Sequence, residues 1–173
     1  MKAIFLDIDG VLNNLFTDEF TPDGFVGISE TLSDHLTNII DTEPDVIKVV
    51  LSSSWKLMEE GTADYEYMML RLSEADAAPI GFTEEPDEEG MLRGKGILNY
   101  LDEHEEITEF VILDDYIFDF EKEGLVPHLV LTNEIRGLTN DDVETAIAIL
   151  NGKLLPDDAY VDVDRERGYY REG

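Results

Sequence analysis

Two periods alternate along the chain. Compact apolar runs at 3–6 (AIFL), 46–51 (VIKVVL), 110–113 (FVIL) and 128–131 (HLVL) have the length of strands buried on both faces. A weaker run at 78–82 predicts one more short strand. Between them apolar residues return every three or four positions. Ser29 is placed to cap a helix through Asp41, with Leu32, Leu36, Ile39 and Ile40 on one face and Pro44 closing it. Tyr65, Met68, Met69 and Leu72 form a core-facing stripe within 62–75, and Ile97, Leu98 and Leu101 do the same within 94–103. Thr139 caps a last helix through Leu150, ended by Gly152. Strands alternating with helices predict an α/β fold: a three-layer Rossmann-like sandwich around a mostly parallel sheet. One domain over 1–155 and an acidic C-terminal tail over 156–173, carrying Tyr160, Tyr169 and Tyr170, account for the length. Residues 13–28, rich in Gly, Pro, Asp and Thr, read as a loop anchored by Phe16, Phe20 and Phe25, and 83–91 (TEEPDEEGM) as a solvated acidic loop. No internal repeat is found.

The polar clusters fall directly after the strand runs, where open parallel sheets gather their ligands. Asp7 and Asp9 follow the first run, Ser52, Ser53 and Ser54 the second, and Asp114 and Asp115 the run at 110–113. Carboxylates at i and i+2 of an extended chain point to the same side, and Gly10 then permits a sharp turn. Two such charges about 4 Å apart repel by roughly 4 kcal/mol at an effective dielectric of about 20. One acid must hold its proton or a cation must sit between them. Oxygen donors of this kind suit Mg²⁺. The plainer reading, an exposed Asp-Gly turn, is weakened by the acids that follow other strands.

Charge enlarges the picture. Twelve Lys and Arg stand against 41 Asp and Glu, a net charge of −29, with acids spread along the whole chain. A solvated acidic surface of this kind fits a halophile's solubility strategy. It also opposes loose binding to phosphate backbones at low salt, an opposition that molar salt would screen within about 3 Å. A nucleic-acid mimic is a rival reading; disorder is disfavoured by the ordered apolar blocks. No apolar run reaches the roughly 20 residues of a membrane span, and the N-terminus does not read as a signal peptide. The absence of cysteine excludes disulfides and thiolate metal sites, and a cytoplasmic location is expected. His35, His104 and His128 are scattered and read as structural.

The ordered set DIDGVL, VVLSSSW, RGKGI and VILDDYIFD resembles the haloacid dehalogenase-like (HAD) phosphohydrolase superfamily. More closely, it is similar to the small HAD domains associated with RNA-repair proteins, in which a Ser/Thr–Trp element and an arginine-led helix precede a strand ending in paired acids. The resemblance covers residues 2 to about 151. It implies that Asp7 is the nucleophile forming an aspartyl-phosphate, and that Asp9 is the acid for the leaving alcohol and then the base for water. Mg²⁺ would be held by Asp7, the backbone carbonyl of Asp9, and Asp114 or Asp115, with Asp119 further out or merely structural. Phosphate would meet a serine hydroxyl, Ser52 by position or, the preferred choice, Ser53 if Trp55 sets the register. It would also meet a cation, Lys95 between two glycines or its rival Arg93, which alone offers a bidentate fork. Trp55 itself reads as packing rather than base stacking.

Neither interval between the motifs has room for a full cap domain. An open site admits a phosphate on a polymer end, and a nucleic-acid terminal phosphate is the leading candidate substrate. The function expected is a Mg²⁺-dependent phosphatase acting on a phosphomonoester. The alternative is a non-enzymatic acidic binding or decoy protein on the same scaffold. Oligomeric state is not legible in the sequence.

Overall fold

The computed structural model describes residues 1–162. Five strands, β1 (Lys2–Leu6), β2 (Ile47–Leu51), β3 (Gly81–Phe82), β4 (Glu109–Asp114) and β5 (Leu129–Leu131), form one open sheet in the order β3-β2-β1-β4-β5. Every pairing among them is parallel. Three helices lie between strands, α1 (Glu30–Ile40), α2 (Ala63–Glu74) and α3 (Arg93–Glu103), and α4 (Asn140–Leu150) follows β5. The α/β sandwich read from the sequence is therefore the fold, and no cap domain interrupts it.

Strand alternation splits the core into two layers. Ile4 and Leu6 of β1 pack with Leu36 and Ile39 of α1, Met68 and Leu72 of α2, and Ala146 and Ile149 of α4. Ala3 and Phe5 face the other way, onto Ile97 of α3 and Ile117, Phe120 and Leu125 of the segment after β4. Each such large side chain contributes about 1.5–3 kcal/mol by leaving water. β1 is buried on both faces, which is why its sequence is a continuous apolar run.

Helix starts explain the boundaries. Ser29 Oγ accepts from Leu32 N–H at α1, and Thr139 and Asp142 form a reciprocal capping box at α4. α3 has no local side-chain cap; its N-cap residue is Leu92. Asp119, far along the chain, supplies one instead: Gly94 N–H donates to its Oδ1 at 2.6 Å and Lys95 N–H to its Oδ2 at 3.1 Å. A Cβ at position 94 would come within 2.9 Å of that carboxylate, so glycine is what lets the acid approach. Both oxygens of Asp119 are engaged in capping this helix. This carboxylate also fixes where Arg93, the first residue of α3, begins.

Two sequence expectations change. Phe16, Phe20 and Phe25 do not anchor their loop: they are 79 %, 57 % and 69 % exposed. Polar bonds hold it instead, from Asp23 N–H to Asp64 Oδ1 and from Ile28 N–H to the Tyr67 hydroxyl, both at 3.0 Å and both on α2. The acidic loop is not wholly solvated, because Glu85 turns inward to meet Lys56 at 2.6 Å. Within the tail, the Tyr160 hydroxyl donates to Leu129 O at 2.7 Å and accepts from Leu131 N–H at 3.2 Å, so this residue packs against β5. Tyr169 and Tyr170 lie outside the described residues. Among the described residues no helix is long and apolar enough to cross a membrane.

Asp119→Ala should lower the unfolding free energy in a urea titration by about 1–2 kcal/mol, the usual worth of a lost helix cap. Asp119→Asn, which keeps one acceptor oxygen, should lose less.

Candidate active site

Strand register brings the candidate residues together. Leu6 of β1 is level with Leu51 of β2 and Leu113 of β4, so the residues that follow each strand lie side by side at the carboxyl edge. Backbone bonds of 2.9 Å continue the ladder past the strands: Ser52 N–H to Leu6 O, Asp7 N–H to Leu113 O, and Thr132 N–H to Asp114 O. The edge thus reads Ser52, Asp7, Asp114, Thr132.

Asp7, Asp114 and Asp115 each offer a carboxylate oxygen within 4.8 Å of the other two. Asp7 and Asp114 are buried. Burial pushes the Asp7 carboxyl up, with the charge of Asp114 adding to it. It also raises Asp114, against the opposing pull of Arg93, and pushes Asp115 up to about 7 with help from Asp7. After Asp9 the chain turns at Gly10, whose φ is +75°. A Cβ there would stand 2.1 Å from Asp115 Oδ2, so the glycine leaves the space that Asp115 occupies. Thr132 Oγ1 donates to Gly10 O at 2.7 Å and holds this turn against β5.

A cation faces the acids. Arg93 Nη1 donates to Asp114 Oδ2 at 2.8 Å and lies 3.4 Å from Asp7 Oδ2. Its guanidinium sits 4.2 Å over the ring of Phe118, a residue held at φ +49°. The acids raise the Arg93 pKa further, so it stays charged. The preference for Lys95 is corrected. α3 begins one residue earlier than its glycines imply, which aims Arg93 inward, whereas Lys95 is exposed and contributes its backbone N–H to Asp119.

The serines separate as well. Ser53 Oγ accepts from Trp55 N–H at 3.2 Å and caps the single 3₁₀ turn at Ser54–Leu57. Ser52 Oγ, wholly buried beside Asp7, has no hydrogen-bond partner among the described residues. Register and a spare hydroxyl both favour Ser52 over Ser53. Asp9 stands apart from the three clustered carboxylates. Its side chain is exposed, with Oδ1 accepting from Asn13 Nδ2 at 2.9 Å and Oδ2 from Trp55 Nε1 at 3.1 Å.

Sequence reading missed several contributors. Asn13 also takes Gly10 N–H and gives to Gly27 O, so one amide ties the turn, Asp9 and the loop together. Lys56 is half-buried beside Glu85 and Thr83, and its pKa falls with burial despite Glu85. Its proximity to tryptophan in the 3₁₀ turn was the only signal available. Two openings flank the site. One, of about 540 Å³, is lined by Asp9, Trp55, Phe25 and Met58 among others; the second, of about 530 Å³, by Lys56, Arg93, Phe118 and the acidic loop.

Fold and site together define a HAD-like α/β domain, of a phosphohydrolase-type family. The chain belongs to the HAD domains of Swiss Army Knife RNA repair proteins, whose family model matches residues 3–143. No curated protein matches it.

The residues present fit a divalent ion. Three carboxylates converge at a glycine-bounded turn, and their raised affinity for protons shows how strongly they demand positive charge. An all-oxygen donor set of this size suits Mg²⁺.

A carboxyl whose folded pKa lies above its unfolded 3.8 binds its proton more tightly in the native state. Its stabilisation is full below about pH 4 and is lost as pH rises toward about 7, the value for Asp115. In chelator, the melting temperature should therefore fall across this window by several degrees. Asp115→Asn should flatten the fall, and millimolar Mg²⁺ should reverse it in the unsubstituted protein. Calorimetry at a series of pH values reads all three, and an unchanged slope in Asp115→Asn would contradict the assignment.

Proposed function

We propose that this protein is a Mg²⁺-dependent phosphatase that hydrolyses a phosphomonoester through an aspartyl-phosphate on Asp7. The observation that carries this reading is the meeting of buried Asp7 and Asp114, both beside Arg93, with half-buried Asp115. A decoy protein would have no use for ionisable groups placed where burial makes them costly.

Asp7, Asp114 and Asp115 would hold the ion, with the Asp9 carbonyl as a further ligand. When bound, Mg²⁺ neutralises charge on the phosphoryl oxygens and fixes their orientation. Arg93 supplies a fixed positive charge beside Asp7, and the spare hydroxyl of Ser52 donates to a phosphoryl oxygen. A carboxylate oxygen of Asp7 attacks phosphorus as the bridging P–O bond breaks. Asp9 gives a proton to the departing alcohol, then takes one from the water that hydrolyses the acyl phosphate. Lys56, already neutralised by Glu85, shapes the second opening rather than binding phosphate directly.

The substrate we favour is a terminal phosphate on a nucleic acid, in keeping with an uncapped site and with the family's description. The charge of −29 makes such binding favourable only where salt screens it.

Phosphate release from 4-nitrophenyl phosphate with Mg²⁺ should fall by about 10³-fold or more in Asp7→Asn. Equal rates in the two proteins would end the proposal. Oligonucleotides phosphorylated at either end, assayed at low and high salt, should be turned over faster as salt rises.

A further inference from the structure

Nothing so far assigns a role to the side chain of Trp55 beyond a contact. It is the only tryptophan in the chain. Ser53 caps the short 3₁₀ turn that carries it, and this turn follows directly after β2, whose end is level with that of β1. The turn therefore inherits its position from the sheet. From there the indole Nε1–H reaches Asp9 Oδ2 at 3.1 Å, while Asn13 Nδ2 holds Oδ1 at 2.9 Å. A carboxylate on an exposed turn would otherwise sample several rotamers; two donors on its two oxygens leave it one. The second donor comes from a different strand's end, so it fixes Asp9 relative to Ser52 and the phosphate side of the site.

We infer that Trp55 is a positioning residue for proton transfer: its indole N–H aims the Asp9 carboxyl at the bridging oxygen of the substrate. The inference rests on the phosphatase reading above. In the step concerned, the bond from Asp7 oxygen to phosphorus forms, the P–O bond to the leaving group breaks with its electron pair, and that oxygen takes the proton from Asp9. Both Asp9 and Trp55 line the cavity of about 540 Å³, together with Phe25, Met58, Glu59 and Asp64. Because Asp9 must touch the bridging oxygen, the leaving alcohol extends into this cavity. The indole thus has two duties: its N–H orients the acid and its ring walls the space beside it.

Trp55→Phe separates them, keeping most of the wall and deleting the donor. An alkyl alkoxide needs a proton to depart, whereas 4-nitrophenolate hardly does. The ratio of kcat/KM for β-glycerol phosphate over 4-nitrophenyl phosphate should therefore fall at least about tenfold in Trp55→Phe, since small misplacements of a reacting group cost one to two orders of magnitude. In an Asp9→Asn background, Trp55→Phe should leave that ratio where the first substitution set it. A ratio unchanged in the single variant, or a further fall in the double variant, overturns the inference while leaving the phosphatase reading intact.

A second measurement does not depend on turnover. With one tryptophan, the ¹⁵N–¹H spectrum holds a single indole resonance. Asp9→Asn should shift it, and Asp18→Asn, on an exposed part of the loop, should not. An indole resonance indifferent to Asp9 would refute the bond itself, whatever the enzyme assays show. If the wild-type protein releases no phosphate while the resonance responds to Asp9, the positioning role falls with the phosphatase reading and only the structural bond survives.

Discussion

Three carboxylates crowd the carboxyl edge of the sheet, and the Arg93 guanidinium meets them there. Arg93 touches Asp114 and approaches Asp7, so the acids still outnumber the cation in direct contact with them. Lys56 lies nearest Glu85, at 2.6 Å, and Glu85 in turn stands 3.9 Å from Arg93 Nε. In a buried setting such an excess is met by retained protons or by a divalent cation. Much of the surrounding structure serves this imbalance. Phe118 accepts a left-handed backbone to lay its ring under Arg93, Asp119 fixes the helix that carries the arginine, and Gly10 yields the room in which Asp115 stands.

The sheet supplies the accuracy. Side chains on loops would be held loosely, but here Asp114 ends β4, while Ser52, Asp7 and Thr132 are each one hydrogen bond beyond a strand, and neighbouring strands share their register. A slip of one residue in β1 against β4 would turn Asp7 to the opposite face and send Leu6 with it. Ile4 and Leu6 packed on one layer, and Phe5 on the other, make such a slip costly. The apolar core is thus the ruler by which the acids are set.

How much of this was legible in the sequence follows from the range over which each feature is determined. Strands and helices were readable, and so were the caps Ser29 and Thr139, which act within a turn of their own position. The acids after β1 and β4 were readable too, because a charged residue ending an apolar run is conspicuous. Choices between neighbours were not. Arg93 and Lys95 differ in direction by half a helical turn, and α3 takes its starting point from Asp119, more than twenty residues away. Ser52 and Ser53 differ in which hydroxyl the 3₁₀ turn consumes. The exposed Phe16, Phe20 and Phe25 misled for the opposite reason: apolar character implied burial, whereas polar bonds to Asp64 and Tyr67 carry the loop.

The hydroxyl of Tyr160 occupies both a carbonyl and an amide on β5, the outermost strand on its side of the sheet. An unprotected rim of this kind invites another chain to add a strand and start an aggregate. One phenol acts here as a stopper, closing the pairing positions that a neighbouring molecule would need. Expression fragments cut just before this residue would therefore tend to stick to one another, a solubility defect whose origin lies far from the acidic surface.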